Sequence, residues 1–64
     1  MVEDKALLAK ARRRIKRFIK TGEPQARVRQ WNDENVYEFK VRHHVRSLFF
    51  KKDKLGRLRQ VKSP

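Results

Sequence analysis

The sequence predicts an α+β fold: one N-terminal amphipathic helix packed on a three- to four-stranded antiparallel meander, spanning residues 1–64 as a single domain. Three observations predict it. Apolar residues recur at helical spacing from about residue 3 to residue 20 and stop at Thr21-Gly22. From Ala26 onward β-branched and aromatic residues alternate with charges. The segments between those alternating runs are two to five residues long, a length that pairs neighbouring strands.

The helix comes first. Leu8, Ala11, Ile15, Phe18 and Ile19, with Leu7 beside them, form one apolar stripe. Glu3 and Asp4 stand at the end where the macrodipole favours negative charge, and Arg17 and Lys20 at the opposite end. Gly22 is a natural left-handed C-cap, and Pro24 prevents the helix from resuming.

Four strands follow. The first is expected at 27–31, ahead of the turn Asn32-Asp33-Glu34-Asn35. The second, 36–42, places Tyr37, Phe39 and Val41 on one face and Glu38, Lys40 and Arg42 on the other. The third, 45–51, is joined to it through His43-His44. The fourth, 57–62, follows the turn Asp53-Lys54-Leu55-Gly56, and Ser63-Pro64 form a tail. Leu48-Phe49-Phe50 breaks the alternation and implies a strand covered on both faces. One helix covers only one, so a homodimer interface or a contact with another protein is expected over the second. Trp31, the only tryptophan, is expected in the core.

Charge narrows the function. Nineteen Lys and Arg against seven Asp and Glu leave a formal charge of +12. Self-repulsion at that density opposes compaction, and a polyanion relieves it. A chain this short buries only about 60% of the surface exposed on unfolding, so a partner also aids stability. There is no cysteine, hence no disulfide and no thiolate metal site, and two adjacent histidines cannot complete a tetrahedral metal site. No cofactor or metal is expected. No apolar run approaches the ~20 residues of a membrane span, and no signal peptide is visible, so a cytoplasmic location is expected.

The candidate binding residues fall in two sets. Lys10, Arg12, Arg13, Arg14, Lys16, Arg17 and Lys20 cover the helix outside its apolar stripe, with Lys10, Arg13, Arg14 and Arg17 together on the wheel. No acid falls between Lys5 and Lys20, whereas an ordinary solvated helix face mixes both signs. From the strands come Arg27 and Arg29, Lys40 and Arg42 with Arg46 following, and Arg57 and Arg59. Arginines on adjacent strands suit phosphate oxygens, and they also guard sheet edges against aggregation. Trp31 and Tyr37 among these arginines suit stacking on unpaired bases. His43 and His44 are the candidates for acid–base chemistry, since imidazole titrates near neutrality, though adjacent histidines in a turn are more often simply solvated. No Ser-His-Asp set, glycine-rich phosphate loop or paired carboxylates accompany them.

The run Val36-Tyr37-Glu38-Phe39-Lys40-Val41-Arg42, a short turn, then Val45-Arg46-Ser47-Leu48-Phe49-Phe50, a turn with Gly56 and a last strand resembles the central sheet of RelE/HigB-type toxins. The resemblance covers roughly residues 8–62. It implies a helix-on-sheet protein that docks on the ribosome, acts on mRNA and is held in check by an acidic antitoxin. It also implies that Arg46 contacts the RNA phosphate. The family's N-terminal strand and its C-terminal catalytic segment have no counterpart in residues 1–64, so the resemblance implies a minimal relative for which binding is expected, with ribosome-dependent mRNA cleavage as the activity if catalysis is kept. The expected partner is RNA or the ribosome. The alternatives are a DNA-binding regulator of a virus or mobile element, and a protein–protein effector gripping its target through Leu48-Phe49-Phe50.

Overall fold

A computed structural model of the chain describes residues 5–31, 35–41 and 46–63. Within them the protein is one helix on a four-stranded antiparallel meander, α1 (Lys5–Thr21), β1 (Val28–Gln30), β2 (Val36–Lys40), β3 (Ser47–Lys52) and β4 (Leu58–Val61), in sheet order β1-β2-β3-β4. The α+β class and the element order are those the sequence predicts. Element ends differ by at most two residues, with β1 reduced to the three that pair with β2. Glu3, Asp4, the turn residues Asn32, Asp33 and Glu34, the segment Arg42-His43-His44-Val45, and Pro64 lie outside the described residues.

The helix is seated by its apolar stripe. Ala11 and Ile15 are fully buried, and Leu7, Leu8, Phe18 and Ile19 pack around them against the sheet. The sheet answers with Tyr37, Phe39 and Val41 from β2 and its extension, Leu48 and Phe50 from β3, Leu58 from β4 and the half-buried Val28 from β1. Register explains why these meet. Val28 lies opposite Phe39 and Phe39 opposite Leu48, while Tyr37 lies opposite Phe50. Directly paired residues share a face, so the predicted alternation of β2 propagates across the sheet. Phe39, Phe50 and Ile15 are the largest fully buried side chains. At about 1.5–3 kcal/mol for each large apolar side chain removed from water, this cluster is the main driving force of the fold. Phe18 meets Tyr37 edge to face at 6.2 Å, and the Arg12 guanidinium sits 5.5 Å from the centre of the Phe50 ring.

The turns follow their residues. Gly22 adopts a φ of +74° and its N–H donates to Phe18 O at 2.8 Å, closing the helix in the left-handed cap expected of it. The Thr21 hydroxyl donates to Arg17 O and accepts from Glu23 N, so two more terminal groups are satisfied. Gly56, at φ +81°, donates to Asp53 O in the five-residue loop between β3 and β4. Arg27 is unexpected. It holds a φ of +67° in the turn ahead of β1, a region that costs a non-glycine residue roughly 1–2 kcal/mol.

The Leu48-Phe49-Phe50 run resolves within the chain. Leu48 and Phe50 point under the helix, and Phe49 points to the opposite face, where it is only 8% exposed. Trp31 covers it there, the two rings meeting at 5.7 Å and 61°. Trp31 therefore lies outside the core beneath the helix where the sequence placed it. It is half-buried and forms a small second cluster on the far side of the sheet.

Candidate nucleic-acid interface

With Ala11 and Ile15 fixed against the sheet, helical geometry sets where every charge of α1 goes. At 100° per residue the remaining arc carries Lys5, Arg13, Lys16, Arg17 and Lys20, all exposed, with Lys10, Arg12 and Arg14 half-buried along its two margins. The 17 residues of α1 span about 25 Å, and no acid interrupts the arc along that length. Near its C-terminal end Arg13, Arg14 and Arg17 line an open recess of about 370 Å³ with Glu23 and Gln25. Lys10, Arg13, Arg14, Arg17 and Lys20 thus share the helix side of the molecule.

The strand residues divide. On the sheet face turned away from the helix, Arg29 stands in a row with Glu38, Phe49 and Val61, and the next row holds Val36, Lys51 and Arg59. Lys40 lies opposite Ser47 on the same face. Arg29, Lys40, Lys51 and Arg59 are exposed, and they surround the half-buried Trp31, Val36 and Val61. Arg29 places its guanidinium 5.5 Å from the centre of the Trp31 ring. Lys51, Lys52, Asp53, Arg59 and Val61 line a second recess, of about 270 Å³.

Glu38 is the buried acid of this face, 7% exposed. Trp31 Nε1 donates to its Oε1 at 3.2 Å, and the Ser47 hydroxyl donates to its Oε2. Its carboxylate therefore fixes the indole over Phe49 and spends its acceptor oxygens within the protein.

Other predicted residues stand apart. Arg46 is exposed, but Val41 N donates to its carbonyl oxygen, and that pairing sets Arg46 in the rows that face the helix side. Lys40 and Arg46 therefore belong to opposite faces of the sheet, not to one row. Arg57 is held by Asp53: its backbone N–H donates to Oδ1 at 2.9 Å, and its Nε lies 3.4 Å from Oδ2. Those bonds, the backbone bond from Arg57 foremost, hold the Asp53 carboxyl below the usual carboxylate range. Arg27 is half-buried beside β1, its carbonyl oxygen accepting from Lys40 N. Tyr37 is 4% exposed beneath the helix, which removes it from any stacking surface and pushes its phenol upward through burial. Arg42, His43 and His44 lie outside the described residues.

Sequence reasoning missed Lys51 and the role of Glu38. Lys51 was legible, since Ser47, Phe49 and Lys51 alternate on one face, but the apolar triplet hid the alternation. Glu38 could not be found the same way, because its value depends on Trp31 folding back over β2. Among the described residues no cluster of three His, Asp or Glu side chains is placed to hold a metal ion, and no helix is long and apolar enough to cross a membrane. Comparison with known proteins returns no matching family model, curated protein or solved structure.

Proposed function

We propose that the protein binds RNA through its phosphate backbone, with the solvent arc of α1 as the principal contact. One observation carries this reading: five exposed basic side chains on a 25 Å helix, flanked by three half-buried ones, with no acid among them, on the side away from the residues that bury it. Neutralising phosphates with such side chains releases condensed counterions and gives affinity without reading any base. Arg13, Arg14 and Arg17 supply planar guanidinium donors suited to paired phosphate oxygens. RNA is favoured over duplex DNA by Trp31, a half-buried indole among exposed cations on an open sheet, since unpaired bases stack on such rings and paired bases do not.

The finer form of the proposal is association with the ribosome, on the pattern of RelE/HigB-type toxins. A helix on an antiparallel meander with an arginine leading β3 is compatible with that architecture, and the ribosome presents phosphate at high density. The proposal is of binding, not of cleavage.

The experiment compares single-stranded RNA, single-stranded DNA and duplex DNA of equal length in fluorescence anisotropy, with the variant Lys10→Gln/Arg13→Gln/Arg14→Gln/Arg17→Gln beside the native chain. Each lost single-strand phosphate contact removes about 0.7 log units at 0.1 M salt, so four remove roughly 600-fold. A variant that binds as tightly as the native chain displaces the site from the helix, and tighter binding to duplex DNA reverses the choice of polymer. Sedimentation with ribosomes tests the finer form. The protein should pellet with them at low salt and leave their mRNA intact.

A further inference from the structure

We infer that the sheet face turned away from α1 is a second binding site for single-stranded RNA, so that one molecule joins two strands. The inference rests on the RNA-binding reading and adds to it a site, a ligand form and a valency.

The two-layer fold forces the point. α1 packs on one face of the sheet, so its cationic arc faces away from the molecule on one side, and the Arg29, Lys40, Lys51 and Arg59 rows face away on the other. Cations exposed on two opposite faces repel one another in the free chain, and an anionic ligand on each face relieves that repulsion. Among the described residues, exposed cations stand on both faces. Three of the seven acids, Glu23, Glu38 and Asp53, lie among the described residues. Glu38 is buried between Trp31 and Ser47, Asp53 is tied to Arg57, and Glu23 lies on the helix side, lining the recess with Arg13, Arg14 and Arg17. The sheet face therefore presents exposed cations around an aromatic centre.

That centre defines the ligand. Trp31 rests edge-on against Phe49 and is held by Glu38, so its ring is fixed before anything binds. Arg29 lies on it, Val36 and Val61 continue the apolar floor, and Lys51 and Arg59 flank that floor from β3 and β4. A planar base takes the place of the Arg29 guanidinium on the indole, and the displaced Arg29 meets the phosphates together with Lys51 and Arg59. A duplex offers no free base face to that floor, so the occupant is an unpaired strand. The helix side, with no exposed aromatic among the described residues, meets phosphate alone. The two sites thus differ in chemistry as well as direction.

Trp31, the only tryptophan, reports on the sheet site by itself. Two measurements on the full chain test the inference. First, titration with a uridylate tetranucleotide should give two bound molecules per chain by equilibrium dialysis, and quenching of Trp31 should follow only one of them. Second, beads carrying a uridylate polymer should capture a fluorescent, non-complementary uridylate strand only when the protein is present. Arg29→Gln/Lys51→Gln/Arg59→Gln should cut capture of the second strand at least tenfold, yet still bind the first through α1. Lys10→Gln/Arg13→Gln/Arg14→Gln/Arg17→Gln should also cut capture at least tenfold while Trp31 is still quenched. All three sheet positions are exposed, and circular dichroism with a urea midpoint verifies that each variant is folded.

One tetranucleotide per chain, with no second strand captured, overturns the second site and with it the preference for RNA drawn from Trp31, while phosphate binding by α1 stands. Capture that survives the sheet variant, or that rises with the square of protein concentration as self-association requires, also overturns the second site. Absence of any RNA binding overturns the underlying reading instead.

Discussion

Glu38 bonds to both Trp31 and Ser47, so its replacement by alanine should loosen the far face of the sheet as a unit. Hydrogen bonds to a charged group contribute about 1.5–3 kcal/mol each. The Trp31 bond is 3.2 Å long and half-exposed, and the freed indole N–H can reach water, which places it at the low end of that range. Removing a buried carboxylate also relieves part of its desolvation cost. The net loss is about 2 kcal/mol for Glu38→Ala. A domain of this size has roughly 3–10 kcal/mol in total, so the loss is large, with a fall in Tm of about 8–16 °C. Glu38→Gln retains one carbonyl acceptor and should cost about half as much. Urea unfolding followed by circular dichroism measures both, and Trp31 emission should shift to the red in Glu38→Ala as the ring leaves Phe49. A double-mutant cycle with Trp31→Phe should return about 1 kcal/mol of coupling. If Glu38→Ala lies within about 0.5 kcal/mol of the native chain and its emission is unmoved, the argument that Glu38 anchors the aromatic cluster is wrong.

Ile15→Ala removes the centre of the helix–sheet contact, and a fully buried site of this kind should cost about 2–5 kcal/mol, enough to bring thermal unfolding near room temperature. Asp53 is held below its ordinary range only in the folded chain, so its contribution is present above that range and disappears as pH falls through the folded value. Asp53→Ala should therefore flatten the acid limb of a urea-midpoint against pH profile, and an unchanged limb would remove Asp53 from the account. Gly56→Ala meets no neighbour, so whatever it costs is backbone strain at φ +81°, about 1–2 kcal/mol by thermal unfolding.

Much of this fold was legible because each element obeys a single local rule. The stripe Leu8, Ala11, Ile15, Phe18, Ile19 and the stop at Gly22 settle α1, and the alternation of Tyr37, Phe39 and Val41 settles which face of β2 is buried. The failures come where tertiary contact overrides the local pattern. Phe49 looked like half of an interface because nothing in the sequence says that Trp31 folds back over it. Arg46 was grouped with Lys40, but the loop between β2 and β3 sets Val41 against Arg46, and that pairing decides the face. Arg27 gives no sign of its left-handed backbone, which glycine or asparagine would have marked. For the site, the helix cations were legible as a group because one helix has one solvent arc. The sheet cations were not, since their grouping depends on register across four strands.

The salt dependence of RNA affinity is the most direct test of a cationic surface that works by phosphate neutralisation. For about six phosphate contacts the slope of log affinity against log salt should be near −4 with single-stranded RNA and near −5 with duplex. The Arg13→Gln/Arg14→Gln/Arg17→Gln chain should flatten the single-strand slope by about 2, roughly 0.7 for each lost contact. A slope near zero, or no binding to either polymer in dilute buffer by a folded chain, would contradict the account.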